Sequence, residues 1–292
     1  MLKRNLVRTG FFSPVLLLLF PVVTAMKGEP KNQERTPIYI SWFCADTNQQ
    51  SLFDSLGFMS STETYYANAP KISLNKHASK FVKEYLVKED EALQKAKLRS
   101  TSYFKMIDAI FIKYGLPVEL KYLAVVESDL KTSAVSKVGA KGLWQFMPQT
   151  ARDLGLKITY KYDERTHAYK STVAAAKYLK DLYAQFNDWL LVLAAYNSGP
   201  LPVMNAIKKS GSKNFWAIQY YLPEESRGHV KRFIGTHYFF EGKGSMVTLT
   251  KTETTKYQKE LESFKASMQS EIKKDSAIVA LTLSNAEVFN TK

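Results

Sequence analysis

The chain has 292 residues, 45% of them hydrophobic and 23% charged, with a formal net charge of +14 at pH 7. That is enough apolar material for a sizeable core, and it excludes a disordered or low-complexity chain; no repeat at a solenoid or propeller period is present either. The single cysteine, Cys44, excludes an intrachain disulfide, and nothing near it suggests a stabilised thiolate.

The N-terminus reads as a secretory signal. Lys3, Arg4 and Arg8 precede an apolar stretch over residues 11–23 that Pro14 and Pro21 interrupt, and small residues then lead to an expected cut after Ala25. The stretch is short for a membrane span. Cys44 lies too far beyond it to be a lipid-modified N-terminal cysteine. Removing residues 1–25 takes away three positive charges and no acid, leaving about +11. An exported basic chain points to a carboxylate-bearing wall polymer or an anionic membrane surface, and not to nucleic acid. A solvated basic surface with no specific partner fits the charge equally well.

Residues 26–70 read as a linker with little regular structure. Helical periodicity begins after Asn75, with Phe81, Tyr85 and Leu86 in a first helix and residues 103–114 in a second that stops at Gly115. Pro117 can open the next helix without losing a hydrogen bond. Ser171 is the expected cap of a helix over 173–186. Asp188 caps another over 189–197, which Gly199 ends. The fold class is therefore mainly α, with one domain over residues 71–242. Residues 243–292 form an extension with a β-like run at 247–250, a charged stretch to Lys274 and an apolar patch at 278–283. A docking helix and a loose extension both fit it, and no motif assigns it a role.

Missing motifs narrow the chemistry. The chain has no HExxH, no Cys or His cluster at metal spacing, no GxxxxGK and no GxSxG, so no metal or cofactor is expected and carboxylate chemistry leads. Leu120, Leu123, Ala124 and Glu127 follow the i, i+3, i+4, i+7 spacing of one helical face, and Val125 and Val126 make the neighbouring surface apolar. Glu127 is thus expected to be partly desolvated, which favours the protonated form that a general acid requires. On pattern alone, a solvated or salt-bridged glutamate remains open. Close behind it, Gly139, Gly142, Trp144, Gln145 and Phe146 combine tight-turn glycines, an exposed-looking aromatic and a side-chain amide suited to a sugar hydroxyl or acetamide. The alternative is a turn that packs Trp144 and Phe146 into the core.

The ordered string ESxx, AxSxxGAxGLWQFMPxTA, then Asp163-Glu164-Arg165, Lys170-Ser171-Thr172, Ala195-Tyr196-Asn197-Ser198-Gly199 and Leu222-Pro223-Glu224-Glu225 resembles the soluble lytic transglycosylase family, in its membrane-bound D branch. The likeness spans residues 71–242. It implies a lysozyme-like helical fold of the goose-type architecture. It also implies cleavage of the β-1,4 bond between N-acetylmuramic acid and N-acetylglucosamine in peptidoglycan glycan strands, leaving 1,6-anhydromuramyl ends. Carried over by position, Glu127 is the single acid/base, and Ser136, Gln145, Met147, Tyr196 and Asn197 line the cleft. Ser128 matches the small residue after the acid, with its hydroxyl expected to bond within the helix.

Where the family has Thr and Tyr, this chain has Ser226 and His229, and the histidine changes donor geometry and adds a titratable group. Among Trp144, Tyr160, Tyr178 and Tyr196 as sugar-stacking rings, Tyr196 is favoured and Tyr178 is assigned to packing. Asp129, two positions on from Glu127, is expected to point away from its face, and Asp153 and Asp163 read as cap or turn residues. Two alternatives stand beside the transglycosylase: a lysozyme-type hydrolase, and a peptidoglycan-binding protein with impaired turnover. The resemblance implies a periplasmic address and names no protein partner.

Overall fold

The computed structural model describes residues 69–289; the expected signal, the linker up to residue 68 and Cys44 lie outside that range. Among the described residues the chain is helical, with isolated bridges at Val135–Lys141, Lys141–Phe146 and Ile158–Asp163 and no strand.

Helix α1, Lys76–Lys88, starts at Asn75, whose side chain accepts from the His77 amide. Helix α2 runs from Asp90 to Tyr114, well before the expected start at 103, and ends at Gly115 in the left-handed region. Its N-terminal half escaped the pattern because only Leu93, Ala96 and Ser100 face inward there, between charged pairs such as Lys95–Glu91. A 3-10 turn, Val118–Lys121, then runs into α3, Tyr122–Ser128. After a long loop come α4, Pro148–Asp153, and α5, Ala168–Phe186. The cap of α5 is His167, not Ser171; the Ser171 hydroxyl is satisfied by the His167 carbonyl inside the first turn, so the helix begins earlier than expected.

Helix α6, Trp189–Ser198, is the centre of the molecule: Leu190 to Ala195 are all buried. A helix apolar on every side must be enclosed. α5, α7 (Pro200–Ser210), α9 (Glu224–Glu241) and the 3-10 turn Met246–Thr248 enclose it, and short α8 (Phe215–Ile218) packs on α7. Asp188 caps α6 as expected, its Oδ1 accepting from the Leu190 and Leu191 amides. Its Oδ2 accepts from the Lys251 amide at the start of α10, Lys251–Phe289. The run 247–250 is not a strand. Ser245 and Thr248 form a reciprocal capping box that uses the local backbone groups, while Val247 turns into the core.

The loop between α3 and α4 is fastened by one buried cation. Arg165 donates to the carbonyls of Gly139 (2.8 Å) and Phe146 (3.0 Å) and, through the rest of its guanidinium, to Asp163. Gly142 has φ +84° and no room for a side chain, since a Cβ there would lie 1.9 Å from the Arg165 carbonyl oxygen.

Two stability measurements follow from this packing. Gly235 sits where α9 crosses α1, and a Cβ built on it would lie 2.6 Å from a ring carbon of Tyr85, a ring held in turn by its hydroxyl on Thr236. A mid-helix Gly→Ala change normally gains about 1 kcal/mol, but overpacking costs about 1–3 kcal/mol. Gly235→Ala is therefore expected to lower Tm. Gly228→Ala, in the same helix and facing only the flexible tip of Arg232 at 3.3 Å, should raise it. Thermal unfolding of the two variants checks the opposite signs.

Hydrogen bonds from Arg165 hold the Asp163 carboxyl down at about 2, with further help from Lys141. A carboxylate depressed on folding stabilises the protein above its unfolded value near 4 and loses that contribution as pH falls toward 2. With part of its surface open to water, the contribution is about 1–2 kcal/mol. Denaturant unfolding should show Asp163→Asn weaker than wild type at pH 7 and the gap closing between pH 4 and 2. A gap that persists at pH 2 would assign the loss to shape and not to charge.

Candidate active site

Glu127 lies in the last turn of α3. The stripe predicted beneath it is fully buried at Leu120, Leu123 and Ala124, Val125 is buried and Val126 half-buried. The Glu127 side chain itself is 13% exposed, so the acid is mostly withdrawn from water. The helix does not continue past it. Asp129 (φ 50°) and Leu130 (φ 62°) turn the chain through two successive left-handed residues, a conformation held by burial of Leu130.

The Oε1 atom of Glu127 lies 2.8 Å from Nε2 of His229, which α9 supplies. His229 is 2% exposed, and its other ring nitrogen, Nδ1, is buried with no partner among the described residues. The next residue, Ser128, is buried and donates its hydroxyl both to the Ala124 carbonyl within the helix and to the Leu143 carbonyl across the loop. That second bond ties the acid-bearing helix to the segment behind it.

A cavity of about 390 Å³ opens beside Glu127, lined also by Ser128, Ser136 and Gln145. Ser136 closes a turn by donating its amide to the Ala140 carbonyl and accepting the Ala140 amide on its hydroxyl. Gln145 is left-handed (φ 48°), and its side-chain NH₂ donates to the carbonyls of Ala134 and Gly142, so the amide that faces the cavity also braces the loop. Tyr196, at the C-terminal end of α6, donates its hydroxyl to the Trp144 carbonyl at 2.8 Å. Its phenol is pushed well up by burial and, next, by the charge of Glu127, which puts it within electrostatic reach of the acid. Neighbouring Asn197 accepts from the buried Ser226 hydroxyl, joining α6 to α9.

The remaining expected residues stand apart from this cluster. Trp144 is fully buried, against Phe111 and with its indole N–H on Thr172, so the exposed-looking aromatic of the sequence is a core anchor. Tyr178 packs between Phe146 and Tyr196, while Tyr160 is fully exposed. Met147 is 42% exposed at the cap of α4 and does not line the cavity. Arg165 and Thr172 lay inside quoted motifs, yet nothing in the sequence signalled that they hold the loop carrying Gln145. Their partners are carbonyls and an indole far along the chain, invisible to local pattern.

Of the other carboxylates, Asp163 is tied to Arg165 and Asp153 is an exposed acceptor for Gln149. Asp129 does line the same cavity, contrary to the expectation from helical spacing, because the chain leaves the helix at that residue; its carboxylate pairs with Lys131 at 3.0 Å. Among the described residues no group of His, Cys, Asp and Glu is placed to hold a metal ion. Chemically the site offers one largely desolvated carboxylic acid, an imidazole on its inner oxygen, and a groove rimmed by hydroxyl and amide groups.

Comparison with known proteins agrees with the likeness drawn from the motifs. Membrane-bound lytic murein transglycosylase D of Escherichia coli is 37% identical over 157 residues, covering 52% of this chain and 34% of that protein. Peptidoglycan transglycosylase gp16 of Escherichia phage T7 is 33% identical over 132 residues, 44% of this chain and 10% of that protein. The chain thus spans about a third of the first relative's length and a tenth of the second's. Among solved structures, the 70 kDa soluble lytic transglycosylase of Escherichia coli matches with a TM-score of 0.42 at 25% identity, over 50% of this chain and 26% of that one. Residues 106–219, the segment that holds α3, the cavity loop and α6, match the transglycosylase SLT domain.

Proposed function

We propose that this protein is a peptidoglycan lytic transglycosylase with Glu127 as its acid/base. The observation that carries the reading is a glutamate buried on an apolar helix face that still opens on a polar-rimmed cavity, within a segment of a family whose relatives bear that activity in their names. Protonated Glu127 gives its proton to the glycosidic oxygen as the C1–O bond breaks, and the N-acetyl group of the substrate shares the positive charge. The carboxylate then takes the proton of the muramyl C6 hydroxyl while that oxygen closes on C1, leaving a 1,6-anhydro end and consuming no water. Ser136 and Gln145 hold the sugar at the cavity rim, Tyr196 and Asn197 brace the loop and α9 behind it, and Met147 touches the strand farther out.

The same reading takes residues 71–242 as the catalytic domain and residues 243–292 as its extension. It makes the protein an exported one, cut after Ala25 and working in the periplasm, with its basic charge directed to the wall polymer or an anionic membrane surface. Among the described residues no helix is long and apolar enough to cross a membrane.

Asp129 at the cavity supports a second reading, a lysozyme-type hydrolase in which a second carboxylate directs water. Mass spectrometry of purified peptidoglycan digested by the protein separates the two. Anhydromuramyl ends are expected from wild type, with a loss of roughly 10²-fold or more in Glu127→Gln and retained product chemistry in Asp129→Asn. Reducing muramyl ends that disappear in Asp129→Asn would establish the hydrolase instead. No products with retained binding to the wall polymer would leave a glycan-binding protein.

A further inference from the structure

Glu127 has two carboxylate oxygens in unlike settings. Oε1 is held by His229 inside the protein, and the carboxyl otherwise borders the cavity, so Oε2 is the oxygen available to a substrate. A neutral imidazole carries one N–H, and the placement of that hydrogen decides where the acid's own proton can sit. With hydrogen on Nε2, the ring donates to Oε1 and the acid proton is free to occupy Oε2. With hydrogen on Nδ1, Nε2 must accept, which draws the acid proton onto Oε1 and away from the cavity. That arrangement also strands a buried N–H, because Nδ1 has no partner among the described residues.

We infer that His229 is a positioning residue that works as the Nε2–H tautomer, aiming the proton of Glu127 at the cavity. The inference rests on the acid/base reading of Glu127. Throughout the cycle His229 keeps its hydrogen: Oε2–H goes to the leaving oxygen, the carboxylate stays on the Nε2–H, and the C6 hydroxyl returns a proton to Oε2.

The other titratable and charged groups around α9 leave this exchange to the pair. Tyr85 of α1 is bonded to Thr236, Lys97 of α2 lies over Phe239, and Tyr196 of α6 is bonded to the Trp144 carbonyl. Tyr220 beside the helix start lies against Arg227, and on α9 itself Arg232 is paired with Glu225. Of all of these groups, only Glu127 is hydrogen-bonded to the imidazole.

The test compares wild type, His229→Gln and His229→Phe for kcat and KM on purified peptidoglycan, with ¹⁵N NMR of the wild-type histidine ring at neutral pH. Expected are a ring protonated at Nε2 and bare at Nδ1, and a kcat lower by about tenfold or more in His229→Phe with KM little changed, recovered in large part in His229→Gln, whose amide can donate to Oε1. A ring protonated at Nδ1, or an equal loss in the two variants, overturns the inference. Should wild type cleave no peptidoglycan, the functional reading fails by itself, and the ring spectrum still decides the tautomer.

Discussion

Everything in this fold is arranged around the need to bury α6. Six consecutive residues of that helix, Leu190 to Ala195, have no face that tolerates water, so other elements must close around it on all sides. Once they do, its two ends become fixed points. The first is capped by Asp188, whose second oxygen also receives the start of α10. The other delivers Tyr196 and Asn197, one to the loop that carries Trp144 and one to α9. Both partners of the acid's surroundings are thereby located by a helix that itself does no chemistry.

The acid is placed by a second, shorter constraint. α3 is too short to be stable by itself, and its position comes from the buried stripe below Glu127, from Ser128 bonded to Leu143, and from α9 across it. The loop that forms the far wall is held by Arg165, a buried cation satisfied by Asp163 and by two backbone carbonyls. A cleft made from irregular backbone thus acquires the rigidity of an element, since the carbonyls that a loop leaves unpaired are gathered on one guanidinium.

Local chemistry was legible in the sequence wherever one residue decides an element. Asp188 and Gly199 mark the ends of α6, and Gly115 ends α2, because a cap or a positive φ depends on neighbours in sequence. The burial of Glu127 was legible too, since the apolar stripe belongs to its own helix. What failed depended on distant partners or on a departure from regular geometry. Trp144 reads equally as a sugar-facing ring and as a core anchor in the sequence, because nothing nearby reveals Phe111 and Thr172 as its seat. Asp129 read as pointing away because the rule assumes that the helix continues, and it does not. The run at 247–250 alternates as a strand would, but with no neighbouring strand its backbone closes on itself in a capping box.

Gly142 divides the cleft wall into a part open to change and a part closed to it. With the Arg165 carbonyl where a side chain would begin, no other residue fits at 142 unless the whole anchor moves. Val135 and Val138, by contrast, are 63% and 74% exposed on the outer part of the same loop, and Val135 borders the cavity. Variation in what the groove accepts can accumulate at those valines with little effect on the fold, so the evolvable surface of this site lies at the tip of a loop whose root is effectively frozen.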